Sequence, residues 1–599
     1  MEKDIVFSDW ASACDQVSSL HQQDKWWEVP FTTAEYEGTL ISAFYESCPE
    51  DLVIRPKLTG WYRIFVCMML YDQSGVEIKL SSDSCFDRLT PIRGNGWDEY
   101  TLEESLWRCA ELTGEEIRIT RKRYTTPFNT VLAWLRFEPM DEDAVTAWKA
   151  EFSDPGTKRL YATNDMCTAT VGSYHMTSHA DWHQVLTPYR DSDVEWVGLE
   201  NTRVCIGGAG VDGETEQLAH LTPYNRSILR QQRQAFTAEM LQDLVRMGHN
   251  MGLKLCGTAR VNCMCMGFPI LHNHHDIPFY LEHPEYRCVD RDGTVIERLS
   301  YAYPEVRQYL ISELLFMAEQ GFDAVGPLFN RGQPNVLFEK PVADAFFEAY
   351  GEYPYELPLA DPRLNKIHCR FLTQFMRELR SALDARFGDR RIEIHAKVML
   401  TVQDCLLVGL DLEEWAKQGL VDILTSYPRG MYEKLDGDIW KNTEKTRIDP
   451  KKYRVYANRS SKSIILDPYD YDYCPPDADG DYVNLAKTCQ FSKERVADFM
   501  ELEKRYGVKV YFDIMPRALS QQEYRDFAQQ LYDMGAERLT LWDTYSRVSK
   551  PAMWSMVRRL GHKGRLPEVA ELENKEYRYI RMLSVAGRDE SRYKSHWGG

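Results

Sequence analysis

Residues 319–330 read Glu-Gln-Gly-Phe-Asp-Ala-Val-Gly-Pro-Leu-Phe-Asn and combine the end of a helix, a glycine and a short apolar strand. Gly321 follows a helical pattern over 304–320, and a glycine there supplies the left-handed residue that often ends a helix. The same join recurs at residues 247–253, 417–422 and 533–537. A repeated unit of helix, glycine and strand is typical of parallel sheets with helical crossovers.

Eight stretches of this strand type follow one another after about residue 155, and eight parallel strands close a barrel. They lie at residues 159–165, 194–201, 254–260, 324–330, 392–398, 421–427, 508–513 and 538–543. Helical patterns precede strands three to eight at residues 235–251, 304–320, 363–387, 411–419, 492–506 and 520–534. The sequence therefore predicts a (β/α)8 TIM barrel.

The barrel is predicted to occupy residues 151–565, with a long insertion at about 429–490. A further strand pattern, Tyr453-Arg-Val-Tyr-Ala, could itself be the seventh strand, but we assign it to the insertion because a helix and a strand follow it. Residues 1–150 contain short alternating strands between turns, which predict a β-sandwich accessory domain. Residues 566–599 are expected to form a C-terminal tail that wraps or frays.

The bulk composition limits the classes of partner. A net charge of −19, with 91 acidic against 72 basic residues, argues against nucleic acid and anionic membranes. Fifteen scattered cysteines and an acidic start predict reduced thiols in the cytoplasm. A phosphate loop and a dinucleotide fingerprint are both missing from the sequence, so we expect no cofactor. Self-association stays open.

Polar side chains are concentrated where the predicted strands end, which in such barrels is where active sites are built. These strand-end residues are Asn164, Asp165, Glu200, Asn201, Arg260, Asn262, Asn330, Arg331, His395, Lys397, Ser426, Tyr427, Asp513, Trp542 and Asp543. Inside a packed barrel such side chains are costly unless they face a polar site.

A further set of segments comprises Leu299-Ser-Tyr-Ala-Tyr-Pro-Glu-Val-Arg, the stretch from Gly321 to Gly332, Phe338-Glu-Lys-Pro-Val with Tyr350-Gly, Lys550-Pro-Ala-Met-Trp and Leu560-Gly-His. Together these segments resemble the glycoside-hydrolase-like family 10 barrels of bacteria. The resemblance covers roughly residues 155–565, and the front domain resembles the β-sandwich often attached to these barrels. It implies cleavage of a glycosidic bond in a carbohydrate substrate.

Glycosidic cleavage needs two carboxyl groups, and in the large retaining barrel group the nucleophile ends strand seven. The resemblance therefore places Asp513 in that role. Strand four departs from the group's Asn-Glu pattern, because Asn330 is followed by Arg331, and the nearest downstream acid is Glu339. Glu339 is either the acid/base or an acid in the first turn of a helix. Glu200 and Asp543 are the further catalytic candidates.

The remaining candidates are expected to bind substrate. Basic groups can orient hydroxyls or a carboxylate, and aromatic rings can stack on sugars. Amide or carboxylate oxygens can accept hydrogen bonds from sugar hydroxyls. This predicted set comprises Asp165, Arg260, Asn330, Arg331, His395, Lys397, Tyr427 and Trp542. His395 and Lys397 lie two residues apart and so face the same side of their strand.

Two other functions remain open at this point. Residues 263–276 contain Cys263, Cys265, His272, His274, His275 and Asp276, and a metal-assisted hydrolase such as a deacetylase could use them. Their spacing matches no known zinc pattern, so our prediction contains no metal. The second alternative is a barrel that binds sugar without turnover, because strand four lacks the glutamate of the retaining group.

Overall fold

The computed structural model describes most of the chain. The described residues are 3–20, 22–44, 47–70, 74–91, 101–121, 129–164, 166, 176, 178–201, 236–261, 277–330, 334–357, 361–427, 492–514, 521–541, 545–573 and 575–589. Within them, no helix is long and apolar enough to cross a membrane.

Two sheets form the front domain. Its strands from the N-terminal part of the chain are β1 (Ile5–Phe7), β2 (Val17–Ser18), β3 (Trp26–Thr33), β4 (Glu37–Ala43), β5 (Leu52–Ile54), β6 (Trp61–Met69), β7 (Val76–Leu80), β8 (Asp87–Leu89), β9 (Thr101–Glu111), β10 (Ile117–Thr120) and β11 (Thr130–Pro139). The smaller sheet has the order β5-β10-β7-β8. Alternating apolar side chains of both sheets, such as Ile64 and Ile119, share one core, which confirms the predicted sandwich.

The later strands form the barrel, and the last of them return to the front domain. They are β12 (Leu160–Asn164), β13 (Val194–Glu200), β14 (Lys254–Arg260), β15 (Arg287–Val289), β16 (Val295–Leu299), β17 (Ala324–Leu328), β18 (Glu393–Val398), β19 (Ile423–Ser426), β20 (Lys509–Asp513), β21 (Leu539–Leu541), β22 (Tyr577–Val585) and β23 (Arg588–Asp589). Strands β12-β13-β14-β17-β18-β19-β20-β21 form a closed barrel of parallel pairs. The eight predicted strands are confirmed.

Helices separate the barrel strands as predicted. The described α-helices are α1 (Glu142–Ser153), α2 (Ala238–Asn250), α3 (Pro278–Glu282), α4 (Pro304–Glu319), α5 (Lys340–Tyr350), α6 (Pro362–Phe387), α7 (Val402–Leu407), α8 (Leu412–Lys417), α9 (Lys493–Tyr506), α10 (Gln521–Asp533), α11 (Tyr545–Val548), α12 (Pro551–Val557) and α13 (Leu566–Glu573). Because the barrel closes through β20, this strand is the seventh. The Tyr453 segment lies outside the described residues.

The C-terminal segment includes strand β22, which returns to the front domain. Strand β22 pairs antiparallel with β9 and with β3, so it lies inside the large front sheet, whose order is β2-β3-β4-β11-β6-β9-β22-β23. The sequence did not indicate this pairing because its partners are hundreds of residues away. The chain thus leaves the front domain after β11, builds the barrel and returns.

The barrel interior is filled at its base by a layer of inward side chains. These are Tyr161, Trp196, Cys256, Ala324, Ile423 and Tyr511. Gly326 of the fourth strand also faces inward: a Cβ there would lie 2.9 Å from Cγ2 of Thr258 and 3.1 Å from the carbonyl oxygen of His395. The strands can therefore approach only with a glycine at this position.

Candidate active site

The inward positions nearer the carboxyl ends of the strands are polar. Side chains alternate between the two faces of a strand, so Glu200 lies four residues above Trp196 on the same face. The same spacing relates Arg260 to Cys256, and a spacing of two relates Asp513 to Tyr511. The base of the barrel is therefore apolar or aromatic, and its mouth carries charge.

Glu200 and Arg260 form an ion pair on the neighbouring second and third strands. Arg260 Nε lies 2.6 Å from Glu200 Oε1, and Arg260 Nη2 donates to Oε2 over 3.2 Å. Both side chains are almost entirely buried. This two-pronged pairing favours the ionised form of the carboxylate, which needs a positive partner in such a dry position.

Lys397 and Asp513 form a second ion pair, across the sixth strand. Their Nζ and Oδ2 atoms are 3.8 Å apart, and the side chains are 2% and 0% exposed. This separation exceeds hydrogen-bond length, so these two atoms attract each other electrostatically without a hydrogen bond between them. Lys397 Nζ also lies 5.6 Å from the centre of the Tyr427 ring. These three candidates are thus brought together, and the lysine favours the ionised form of Asp513.

Asn330 ends the extended segment after the fourth strand and is 2% exposed. Among the described residues, neither its amide oxygen nor its amide nitrogen has a hydrogen-bond partner. Leaving such a group buried and unpaired costs about 1–3 kcal/mol. An amide that both donates and accepts suits a ligand hydroxyl, which can do the same.

His395 lies one layer below Lys397. Its Nε2 donates to Glu393 over 2.9 Å, and its Nδ1 accepts from the Tyr161 hydroxyl over 3.2 Å. The edge of its ring meets Trp196, with the ring centres 4.4 Å apart. The prediction that His395 and Lys397 face the same side holds, but the histidine is satisfied by the base layer and does not join the ion pairs at the mouth.

Glu339 stabilises the loop after the fourth strand through hydrogen bonds. Its carboxylate accepts hydrogen bonds from the Ser300 hydroxyl, from Leu337 N at 3.1 Å and from Val289 N at 3.3 Å. Burial raises the pKa of this carboxyl, although the hydrogen bonds from Ser300 and Leu337 oppose the rise. Glu339 precedes α5 without capping it. The structure therefore joins Glu339 to the β15–β16 hairpin. The hydrogen bonds that its carboxylate accepts from described residues come from this hairpin, from Ser300 directly after it and from its own loop.

His368 on α6 holds the same loop and provides a pH test. Its Nε2 donates to the carbonyl oxygen of Leu337 over 2.9 Å, and burial lowers the pKa of His368 to about 4. The unfolded chain binds a proton near pH 6.5 and the folded chain only near pH 4, so unfolding takes up a proton between these values. We expect the free energy of unfolding to fall by up to about 3 kcal/mol from pH 6.5 to pH 4 because of this residue.

The measurement is urea unfolding across this pH range, with His368→Gln as the comparison. The glutamine amide can still donate to Leu337 but does not titrate. The variant should show the shallower pH dependence. Parallel curves for the two proteins would contradict the assignment.

Four candidates lie outside the described residues: Asp165, Arg331, Trp542 and Asp543. The segment from Cys263 to Asp276 also lies outside them, so the alternative of a metal site there stays a prediction. Within the described ranges, no group of three or more His, Cys, Asp or Glu side chains could hold a metal ion.

Partners of two candidates, His395 and Glu339, were not predicted from the sequence. Glu393 could have been found, because it lies two residues before His395 and therefore on the same face. Ser300, which binds Glu339, lies 39 residues away along the chain, and no local pattern connects the two.

Similarity to known proteins is limited to solved structures of low sequence identity. No family model matches the chain, and no curated protein matches it. Among solved structures, the glycoside hydrolase domain of PgaB (BpsB) from Bordetella bronchiseptica is 12% identical, with a TM-score of 0.36 over 70% of this chain and 98% of that one. The α-galactosidase TtGalA from Thermus thermophilus is 12% identical, with a TM-score of 0.32 over 90% of this chain and 94% of that one.

The glycoside hydrolase domain of PelA from Pseudomonas aeruginosa is also similar. It is 12% identical, with a TM-score of 0.26 over 59% of this chain and 90% of that one. These neighbours are glycoside hydrolases, but likeness at this level carries no assignment of activity. The fold class rests on the eight parallel strands that close in this structure.

Proposed function

We propose that the protein is a glycoside hydrolase that cleaves an oligosaccharide or glycoside at the carboxyl-terminal face of its barrel. The observation that carries the proposal is the buried Lys397–Asp513 pair at 3.8 Å, at the ends of strands five and seven. Both groups lie at the carboxyl ends of their strands, where barrel active sites are built, and a carboxylate beside a positive charge suits one half of glycosidic cleavage.

The two described carboxylates at the mouth both suit the role of the ionised carboxylate in glycosidic cleavage. Asp513 faces Lys397 and Glu200 faces Arg260, and in each pair the positive group favours the ionised carboxylate. We assign to Asp513 the attack on the sugar or the activation of water. We assign to Glu200 the acceptance of a hydrogen bond from a substrate hydroxyl.

Proton donation to the leaving oxygen requires a second, protonated carboxyl. Asp543 is our candidate, because it follows β21 by two residues and β21 pairs with the strand that ends in Asp513. The hydrogen bonds of Glu339 to its own loop and hairpin make it the weaker candidate.

The other residues at the mouth bind substrate in this proposal. Asn330 offers an amide to a hydroxyl, and Tyr427 offers a ring to a sugar face. We also propose that Asp165, Arg331 and Trp542 bind substrate, because each follows a barrel strand in the sequence. The motifs around Tyr301 and Gly321 support the further proposal that the chain is a member of the glycoside-hydrolase-like family 10.

A reducing compartment fits the described cysteines. All nine described cysteines are free thiols, and seven of these are buried. Burial raises the pKa of the Cys85 and Cys256 thiols well above the usual range, which keeps them protonated and unreactive. We propose a cytoplasmic enzyme.

Turnover of a panel of aryl glycosides tests the proposed function, with and without a metal chelator. We expect hydrolysis of at least one glycoside, unchanged by chelation. If the reaction retains configuration, a 2-deoxy-2-fluoro glycoside of the same sugar should label Asp513, as read by peptide mass spectrometry. Activity lost on chelation would instead favour the metal-assisted hydrolase, and saccharide binding without any turnover would favour the non-catalytic barrel.

A further inference from the structure

A serine, a histidine and an aspartate from three different elements meet where the front domain contacts the barrel. Ser84 lies in the turn between β7 and β8, His183 lies in a short 3-10 helix over Ala180–Val185, and Asp243 lies on α2. The Ser84 Oγ and His183 Nδ1 atoms are 2.6 Å apart, and His183 Nε2 is hydrogen-bonded to Asp243 Oδ2. The three side chains therefore form one continuous chain of hydrogen bonds.

The order of these partners fixes which ring nitrogen of His183 carries the proton. An ionised carboxylate only accepts hydrogen bonds, so Asp243 accepts from Nε2–H, and Nδ1 keeps the lone pair that accepts from the Ser84 hydroxyl. The hydrogen bond from His183 lowers the pKa of Asp243, and Arg246 Nη2 binds its other oxygen over 2.8 Å. A nucleophile, its base and the carboxylate that orients the base thus occur in the order of a hydrolase triad.

The turn that carries Ser84 is held on both sides of this residue. Asp83 Oδ2 accepts hydrogen bonds from Leu80 N over 2.9 Å and from Arg108 Nη1 over 2.7 Å. Cys85, the next residue, is buried. Ser84 itself is exposed, so a molecule from solution can reach it although the backbone around it is anchored.

His183 and Asp243 are also held in place, and they are better shielded than Ser84. Trp182, beside the histidine, is fully buried, and Leu186 N donates to the carbonyl oxygen of His183 over 2.9 Å. The side chains of His183 and Asp243 are 15% and 35% exposed. A base whose ring is fixed by a carboxylate is preorganised to take the hydroxyl proton.

Charges near the turn limit the class of substrate. Burial raises the pKa of the Cys85 thiol, and three nearby carboxylates raise it further, those of Asp87, Asp83 and Asp181. Arg190 acts in the opposite direction, and a positive charge of this kind can stabilise the oxyanion that forms during acyl transfer. The excess of negative charge disfavours an anionic substrate and favours the departure of a carboxylate product.

We propose that Ser84, His183 and Asp243 form a second hydrolytic site, which cleaves neutral acyl esters. Ser84 Oγ bonds to the acyl carbon as its proton passes to His183 Nδ1, and Asp243 stabilises the imidazolium that forms. The proton then passes to the alcohol oxygen as the ester C–O bond breaks. Water repeats the two steps on the acyl-serine, which releases the carboxylic acid and restores the hydroxyl. This chemistry uses none of the carboxylates at the barrel mouth, so it is independent of the proposed glycoside hydrolase function.

The test uses the full chain, with p-nitrophenyl butyrate as the substrate and an alkyl fluorophosphonate as the covalent probe of activated serines. We expect the wild-type protein to hydrolyse the ester and to carry the phosphonyl group on Ser84, as read by peptide mass spectrometry. Ser84→Ala and His183→Gln should each lower kcat/KM for the ester by about 100-fold or more, since each removes a group that the proton transfer needs. Thermal unfolding of each variant confirms that it is folded.

Ser82→Ala is the matched control, because Ser82 is exposed in the same turn and lies outside the chain of hydrogen bonds. It should keep both the ester hydrolysis and the labelling of Ser84. The proposal is overturned if the wild-type protein neither hydrolyses the ester nor takes the label, if the label lies on another residue, or if Ser84→Ala keeps the activity. A lowered Tm in Ser84→Ala without labelling of the wild type would show that the three side chains only join the front domain to the barrel.

Discussion

Asp513→Asn should lower kcat/KM by about 1,000-fold or more on any glycoside that the protein hydrolyses. The asparagine side chain has nearly the same shape but cannot attack a sugar carbon or take a proton from water, and positioned groups of this kind contribute about 100- to 10,000-fold. Lys397 would then face a neutral amide 3.8 Å away instead of an anion. The measurement is kcat/KM on the best aryl glycoside, with circular dichroism to confirm folding.

Asp498→Asn is the control for this change. Asp498 is exposed on α9, the helix that precedes the same strand, so the substitution removes one negative charge without touching the mouth. It should leave kcat/KM within a factor of two or so of wild type. Full activity in Asp513→Asn would remove this residue from the reaction and leave Glu200 or Asp543 as the carboxylate to test.

The second large effect concerns the junction between the domains. Glu576, just before β22, receives Arg558 Nη2 at 2.7 Å and Arg559 Nη2 at 2.7 Å, and Arg559 also binds Glu151 of α1. The carbonyl oxygen of Glu576 accepts from Leu106 N of the front sheet over 2.7 Å. One buried carboxylate therefore joins the C-terminal segment, the last barrel helix and the front domain.

We expect Glu576→Gln to cost about 3–5 kcal/mol of unfolding free energy, the usual penalty for leaving buried charges without their partner. Burial opposes the charged form of Glu576, but Arg558 and Arg559 outweigh it and lower the pKa. This stabilisation is therefore present above the ordinary glutamate pKa and is lost as the pH falls through the lowered value. Urea unfolding at pH 7 and at acidic pH measures both effects.

Glu571→Gln is the matched control, because Glu571 is exposed on the neighbouring α13. Its effect should stay within about 0.5 kcal/mol. A loss below about 1 kcal/mol in Glu576→Gln would show that the two arginines find other partners and that the junction does not depend on this carboxylate.

The barrel could be predicted because its signals are local. Each strand is a short apolar segment, four of the eight follow a glycine join such as Gly321, and the count of eight then fixes the closure. Strand ends likewise indicate which residues meet at the mouth, as Lys397 and Asp513 do. Both inferences need only the period of two along a strand and the order of strands.

The rest depends on contacts that are distant in sequence. Glu339 was a catalytic candidate as the nearest acid after the fourth strand, yet Ser300 and Val289, in and directly after a hairpin that precedes this strand, bind its carboxylate. Similarly, β22 has an alternating pattern, but its places beside β9 and β3 could not be inferred without the folded chain. Helix α1 was also missed, although Asp141 caps its first turn.

The return of β22 makes the barrel an insertion within the front domain. Because β22 lies between β9 and β3, a chain shortened before residue 577 would lose an interior strand and expose two sheet edges at once. The front sheet is thus completed only by residues that follow the whole barrel in sequence, since the barrel has all eight of its strands by residue 541. A ribosome therefore delivers every barrel strand before it delivers the strand that completes the front sheet.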